Sequence, residues 1–95
     1  MKRNFRYSRR SQKEVRQAAC WYESERKGLG GKFSKAVENQ VERLAKLPFQ
    51  WEEIEINIRR SPLLGFGSYY IVYEVHDDHI LVLSVFHASR EPKDY

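Results

Sequence analysis

The chain has one cysteine, three prolines, three histidines and no apolar run near the roughly 18 residues needed to cross a bilayer. Each shortage excludes something. A lone Cys20 cannot form an internal disulfide, so covalent stapling is ruled out as the source of stability. The opening Met1-Lys2-Arg3-Asn4-Phe5-Arg6 lacks the apolar segment of a secretory signal, and with the single thiol this points to the cytoplasm. Repeats, low-complexity tracts and a Pro- or Ser-rich linker are also missing. The 95 residues therefore suit one domain, 1–95, with a modest core.

What the chain does have is aromatics and an uneven charge. Six Tyr, five Phe and two Trp supply enough apolar bulk for folding. The net charge of +4 hides a polarity: residues 1–35 carry eleven Lys or Arg against three acids, and residues 36–95 carry six against ten. A basic first third suits nucleic acid or an acidic protein partner. Its densest part is Lys2, Arg3, Arg6, Arg9 and Arg10.

The strongest structural signal lies in the last third. Tyr69-Tyr70-Ile71-Val72-Tyr73-Glu74-Val75 and Ile80-Leu81-Val82-Leu83-Ser84-Val85-Phe86-His87 are rich in β-branched and aromatic residues. Four polar residues, His76 to His79, separate them, which predicts a β-hairpin. Tyr69, Ile71, Tyr73 and Val75 share one face of the first strand. On the second, Ile80, Val82 and Phe86 share one face and Leu81, Leu83 and Val85 the other. Upstream, Phe5 and Tyr7 alternate with polar residues in a short strand over 3–8. Ser11 with Glu14 reads as a capping box that starts a helix through Val15, Ala18, Ala19 and Tyr22. Gly28 stops it and Gly30-Gly31 belong to a tight connection. A second helix carries Phe33, Val37, Val41, Leu44 and Leu47 and closes at Pro48. Ile54, Ile56 and Ile58 alternate with charged neighbours as one half-buried strand, which Ser61-Pro62 interrupts, and Gly65-Phe66-Gly67 bends the chain. The order β-α-α-β-β-β implies an α+β fold: a mostly antiparallel sheet with an N-terminal αα-hairpin packed on one face.

Several residues invite a chemical reading. His87 leaves a strand, and Arg59, Arg60 and Arg90 suit phosphate. With Tyr95 as a stacking or hydroxyl group, this set resembles what RNA cleavage needs: an acid or base and a cationic clamp. The plainer alternative is a strand-end histidine bonded to backbone and a solvated arginine. Adjacent strand residues face opposite ways, so Arg59 and Arg60 cannot both join one surface readily. Trp21, Phe49 and Trp51 serve either the core or a partner groove. Cys20 reads as a small core residue. His76 and His79 flank Asp77-Asp78 in a turn, a poor metal site. Gly28-Leu29-Gly30-Gly31 lacks the preceding strand and the Lys-Ser/Thr step of a phosphate loop. No cofactor is expected.

Taken together, Trp21-Tyr22-Glu23, Gly28-Leu29-Gly30-Gly31-Lys32-Phe33, Leu44 to Pro48, Ile58-Arg59-Arg60, Tyr70 to Val75 and Val85 to Pro92 resemble the RelE/ParE superfamily of toxins from type II toxin–antitoxin modules. The resemblance runs from about Ser11 onward. It departs where Phe66-Gly67 replaces an aromatic-proline step, which implies a looser bend. It implies a small growth inhibitor, of the kind used in plasmid stabilisation, neutralised by a cognate antitoxin in a hetero-oligomer. Two activities occur in the superfamily: inhibition of DNA gyrase by ParE-like members, and messenger cleavage on translating ribosomes by RelE-like ones. The acids Glu52, Glu53 and Glu55 and the His-x-x-Arg-x-Pro ending favour the ParE-like branch, which is not a conventional enzyme. The alternatives are an endoribonuclease using His87, Arg90 and Arg59 or Arg60, and a non-toxic relative that binds antitoxin or regulates transcription. Arg6, Arg9, Arg10, Trp21, Phe49 and Trp51 are the expected partner contacts.

Overall fold

A computed structural model of the chain describes residues 2–92. Five strands and two helices run in the order β1 (Asn4–Tyr7), α1 (Arg9–Glu25), α2 (Leu29–Lys46), β2 (Glu53–Glu55), β3 (Ile58–Pro62), β4 (Tyr69–Val75) and β5 (His79–His87), followed by a 3-10 turn, Ala88–Arg90. The sheet order is β1-β5-β4-β3-β2. Neighbours are antiparallel except that β1 runs parallel to β5, pairing Asn4 with His79 and Tyr7 with Val82. The expected α+β fold is present, with one strand more than the sequence pattern suggested.

The extra strand comes from residues 53–62. Their alternation reads as one strand, but the chain reverses at Ile56-Asn57. Asn57 takes a left-handed φ of 64°, a conformation asparagine tolerates, and leaves Ile56 87% exposed. Period-2 patterning looks the same on one strand or on a hairpin.

The hairpin β4–β5 carries a bulge. Tyr73 pairs with Val82 but Val72 pairs with Ser84, so Leu83 is the extra residue. The bulge shifts the alternation by one. Val85, not Phe86, therefore joins Ile80 and Val82 in the core, and Phe86 packs beside Tyr70 on the opposite face. The core lies between that inner face and the helices: Phe33, Val37, Val41 and Leu44 from α2 meet Ile71, Tyr73, Ile80 and Val82. Leu47 caps α2 rather than extending its buried stripe and is exposed.

The helix hairpin is set by a contact between two of the quoted motifs. The Glu23 carboxylate accepts the N–H groups of Gly28 (3.0 Å) and Gly30 (3.0 Å), so an acid of α1 caps the N-terminus of α2. Gly28 has φ +88° and is the N-cap of α2, while Arg26 ends α1. Gly30 and Gly31 lie inside α2 rather than in the connection. A Cβ on Gly30 would meet the Ala19 carbonyl at 2.4 Å, so close helix contact requires glycine there. At the other end Ser8, one turn before the expected Ser11, caps α1 and accepts the Ser11 N–H at 3.0 Å.

Candidate functional site

Two clefts flank α1, both shaped by where β1 stops. Beyond Tyr7 the edge of β5 has no strand partner, and side chains take its place. The Ser8 hydroxyl donates to the Leu83 carbonyl at 3.0 Å. The Glu14 carboxylate accepts the Val85 N–H at 2.9 Å and the Ser84 hydroxyl at 2.9 Å. Glu14 also pairs with Arg10 at 3.7 Å. Its spacing from Ser11 suggests a capping box, but the N–H and O–H groups it accepts lie about 70 residues away.

Above this seal lies a cleft of about 680 Å³ whose lining includes Gln17, Trp21, Tyr22, Tyr69, His87 and Arg90. His87 is half-buried at the end of β5. Its Nδ1 accepts the Ser89 N–H at 3.1 Å and sits 2.8 Å from the Ser89 hydroxyl, which assigns the proton of the neutral ring to Nε2. The ring meets Tyr69 edge-on at 5.2 Å. Burial, and interaction with Tyr22, raise the Tyr69 hydroxyl pKa above its usual value; the nearby Arg90 opposes the shift. Trp21 forms an exposed wall, 57% accessible, against Tyr22. Behind them Tyr22 stacks on Phe33 at 5.2 Å, and Phe66 closes the aromatic cluster. The 65–67 bend is thus pinned by a packed ring.

The other expected phosphate-binding residues do not join this cleft. Arg59 pairs with Tyr73, four residues along β4 from the partner of His87, a separation of about 13 Å along the strand alone. Its guanidinium donates to the Trp51 carbonyl at 2.7 Å and covers the Phe49 ring at 5.1 Å. Arg60 faces the opposite side, over the Tyr70 ring at 5.0 Å and paired with Glu91 at 2.8 Å. His87 and Arg90 are brought together; Arg59 and Arg60 stand apart from them and from each other. Tyr95 lies outside the described residues.

The expected partner contacts separate as well. Arg6, Arg9 and Arg10 lie on β1 and the start of α1. Phe49 is 60% exposed at another corner with the Arg3 guanidinium 5.2 Å from its ring. Trp51 is half-buried against the core. Cys20 faces solvent, not the core, because the inward side of α1 is taken by Val15, Ala18, Ala19 and Tyr22. The rings of His76 and His79 stack at 4.4 Å and bond Glu74 and Asp78. The His79 hydrogen bond holds the Asp78 carboxyl below its usual pKa. Among the described residues no group of acids, His and Cys has metal-site geometry.

The second cleft, about 580 Å³, lies between β1, α1 and α2, with Phe5, Tyr7, Val15 and Val37 as its apolar lining. Burial first, then Glu38 and Glu42, push the Tyr7 hydroxyl up to about 12. Sequence reading missed this cleft because its walls come from three separate elements.

Residues 5–92 match the family model of the ParE toxin of type II toxin-antitoxin system, parDE. The chain belongs to the ParE toxin family. The fold agrees: it is similar to a solved chain titled "Chromosomal ParDE TA system from P. aeruginosa", with a TM-score of 0.70, 16% identity, and coverage of 90% of this chain and 95% of that one. No curated protein sequence matches. In this ParE-family toxin, the Glu23–Gly28–Gly30 contact joins two of the stretches that carried the resemblance. No described helix is long and apolar enough to cross a membrane.

Proposed function

We propose that this ParE-family toxin, read as one domain over 1–95, arrests growth in the cytoplasm by acting on DNA gyrase and is neutralised there by a cognate antitoxin in a hetero-oligomer. The supporting observation is the dispersal of the cationic side chains. General acid–base cleavage of RNA needs its acid, base and phosphate clamp around one reacting phosphate. Arg59 is committed to the Trp51 carbonyl and Arg60 to Glu91, away from His87. A protein-binding poison needs no such convergence. It needs exposed anchors, and Trp21, Phe49 and the Arg6, Arg9 and Arg10 cluster are suited to that, while Trp51 packs half-buried against the core. The test is supercoiling by purified gyrase with the toxin added. Inhibition that the antitoxin relieves is expected, and undiminished supercoiling at saturating toxin would rule the target out.

One observation favours a second reading. His87 and Arg90 share a cleft with exposed Trp21, and the His87 Nε2 has no hydrogen-bond partner among the described residues. Messenger cleavage on translating ribosomes that is lost in His87→Ala would support an endoribonuclease instead.

A further inference from the structure

We infer that the outward side of α1 binds the phosphate backbone of duplex DNA, without reading its sequence and in the absence of any antitoxin. The inference goes beyond the growth-arrest reading and takes one thing from it, that the proposed target is an enzyme working on duplex DNA. It starts from the order of charges along one helix.

An α-helix carries partial positive charge at its N-terminus and partial negative charge at its C-terminus, so acids suit its first turn and bases its last. Helix α1 has the opposite order. Its first turn holds no acid and its last turn no base. Arg9 and Arg10 open it, Lys13 and Arg16 follow, and Glu23 and Glu25 stand near its end. Packing does not require this order. Val15, Ala18, Ala19 and Tyr22 face the core, while Arg9, Lys13 and Arg16 are exposed on the far side with Cys20. A local rule broken where the fold does not need it broken points to a function.

Nothing among the described residues neutralises these three cations. Arg10 pairs with Glu14, whereas the side chains of Arg9, Lys13 and Arg16 have no ion-pair or hydrogen-bond partner there. The nearby acids are occupied elsewhere. Glu14 seals the β5 edge and Glu23 caps α2. Glu38 and Glu42, in the cleft on the Arg16 side, are held by Lys35 and Lys2. Arg9 is shared with the cluster offered above to a protein partner; Lys13 and Arg16 are not.

Spacing and surroundings select the ligand. At about 1.5 Å of rise per residue, Arg9 to Arg16 covers about 10 Å, or three phosphates of one DNA strand at about 3.4 Å of axis each. The exposed residues between and beside them, Gln12, Lys13 and Gln17, are polar. Trp21, the next exposed ring along α1, belongs to the β5-side cleft. A protein partner would want an apolar anchor at the centre of its contact, and a single strand would want an aromatic platform for its bases. A row of cations on a rigid rod needs neither to hold a duplex.

Fluorescence anisotropy of the full-length chain with a labelled duplex of about 20 base pairs tests this. Three phosphate contacts predict that log K falls with log salt at a slope of about −2.7, a loss of roughly fortyfold between about 50 and 200 mM. Arg9→Gln, Lys13→Gln and Arg16→Gln together should weaken binding at least about tenfold at the lower salt. A control removes equal charge at the tip of the helix hairpin: Arg26→Gln, Lys27→Gln and Lys32→Gln should change binding by less than about twofold. The first variant should also melt about 2–4 °C higher, because Arg9 no longer opposes the helix dipole. A lower midpoint would make these cations structural and overturn the proposal. Equal losses in the two variants would reduce the effect to net charge and overturn it too. So would a single strand of the same length, or a poly-glutamate peptide of the same charge, binding as tightly as the duplex. Gyrase is absent from these measurements. An unbound duplex with inhibited gyrase removes only this inference, and a bound duplex with undisturbed supercoiling removes only the target.

Discussion

Along one side of the sheet, the flank of β1 and the flank of β5 beyond it form a continuous line, and they are finished in opposite ways. The β5 flank is closed from within: Ser8 and Glu14 bond Leu83, Ser84 and Val85, and the cleft above it is aromatic and polar. The β1 flank keeps its hydrogen-bonding groups and sits beside an apolar hollow. The difference comes from α1. Its first turns run beside β5, where Glu14 closes the edge, and reach β1 only at its end, where Gln12 takes the Tyr7 carbonyl.

Substitutions can break or sharpen this contrast. Phe33→Ala should have the largest effect, because the ring supports Tyr22, Phe66 and Tyr69 behind the β5-side cleft and is fully buried. A loss of about 3–5 kcal/mol is expected in denaturant unfolding. Glu14→Ala should cost about 1–3 kcal/mol, since it leaves Ser84 and Val85 without their acceptor. It should also make the Val85 amide exchange as readily as that of Phe5, turning the closed flank into an open one. An unchanged Val85 amide would show that Glu14 is not the seal. Trp21→Ala removes an exposed wall and should leave stability within about 0.5 kcal/mol. If the antitoxin anchors there, its affinity should fall while the fold survives. Equal binding would remove Trp21 from the anchors.

A smaller effect follows from the tyrosines. Burial raises the Tyr7 and Tyr73 hydroxyls from 10.0 to about 12, so the folded chain holds these protons more tightly than the unfolded chain does. Their contribution is complete below pH 10 and disappears as pH rises toward 12. Stability measured across that interval should fall, and Tyr7→Phe should flatten part of the slope. The smallest effect is expected from His87→Ala, which on the gyrase reading leaves growth arrest unchanged; its loss would shift weight to the β5-side cleft as a chemical site.

How much of this was legible follows from the range of each interaction. The two helices and the β4–β5 hairpin announce themselves because their periods are set by neighbours a few residues away. The bulge at Leu83 was hidden, since that strand is apolar at nearly every position and a one-residue slip leaves no mark. The turn at Asn57 had a cue in the asparagine itself, but three alternating isoleucines masked it. Ser8 and Ser11 are each followed three residues later by a polar partner, so local chemistry alone could not choose between them. Glu14 and the β1 cleft depend on contacts between distant segments, which no local window contains. His87 and Arg90 line one cleft because they are sequence neighbours at the end of β5. Arg59 and Arg60 were separated from them by the register of a sheet that only the fold specifies.

The parallel pairing of Asn4 with His79 has a consequence for synthesis. During translation β1 leaves the ribosome first, but its partner follows only after some 75 further residues, and closing so long a loop is entropically slow compared with forming the helix hairpin. The helices can therefore assemble while the N-terminal strand still waits for β5. The sheet, and with it both clefts along the β1–β5 line, is therefore completed only once β5 has been made.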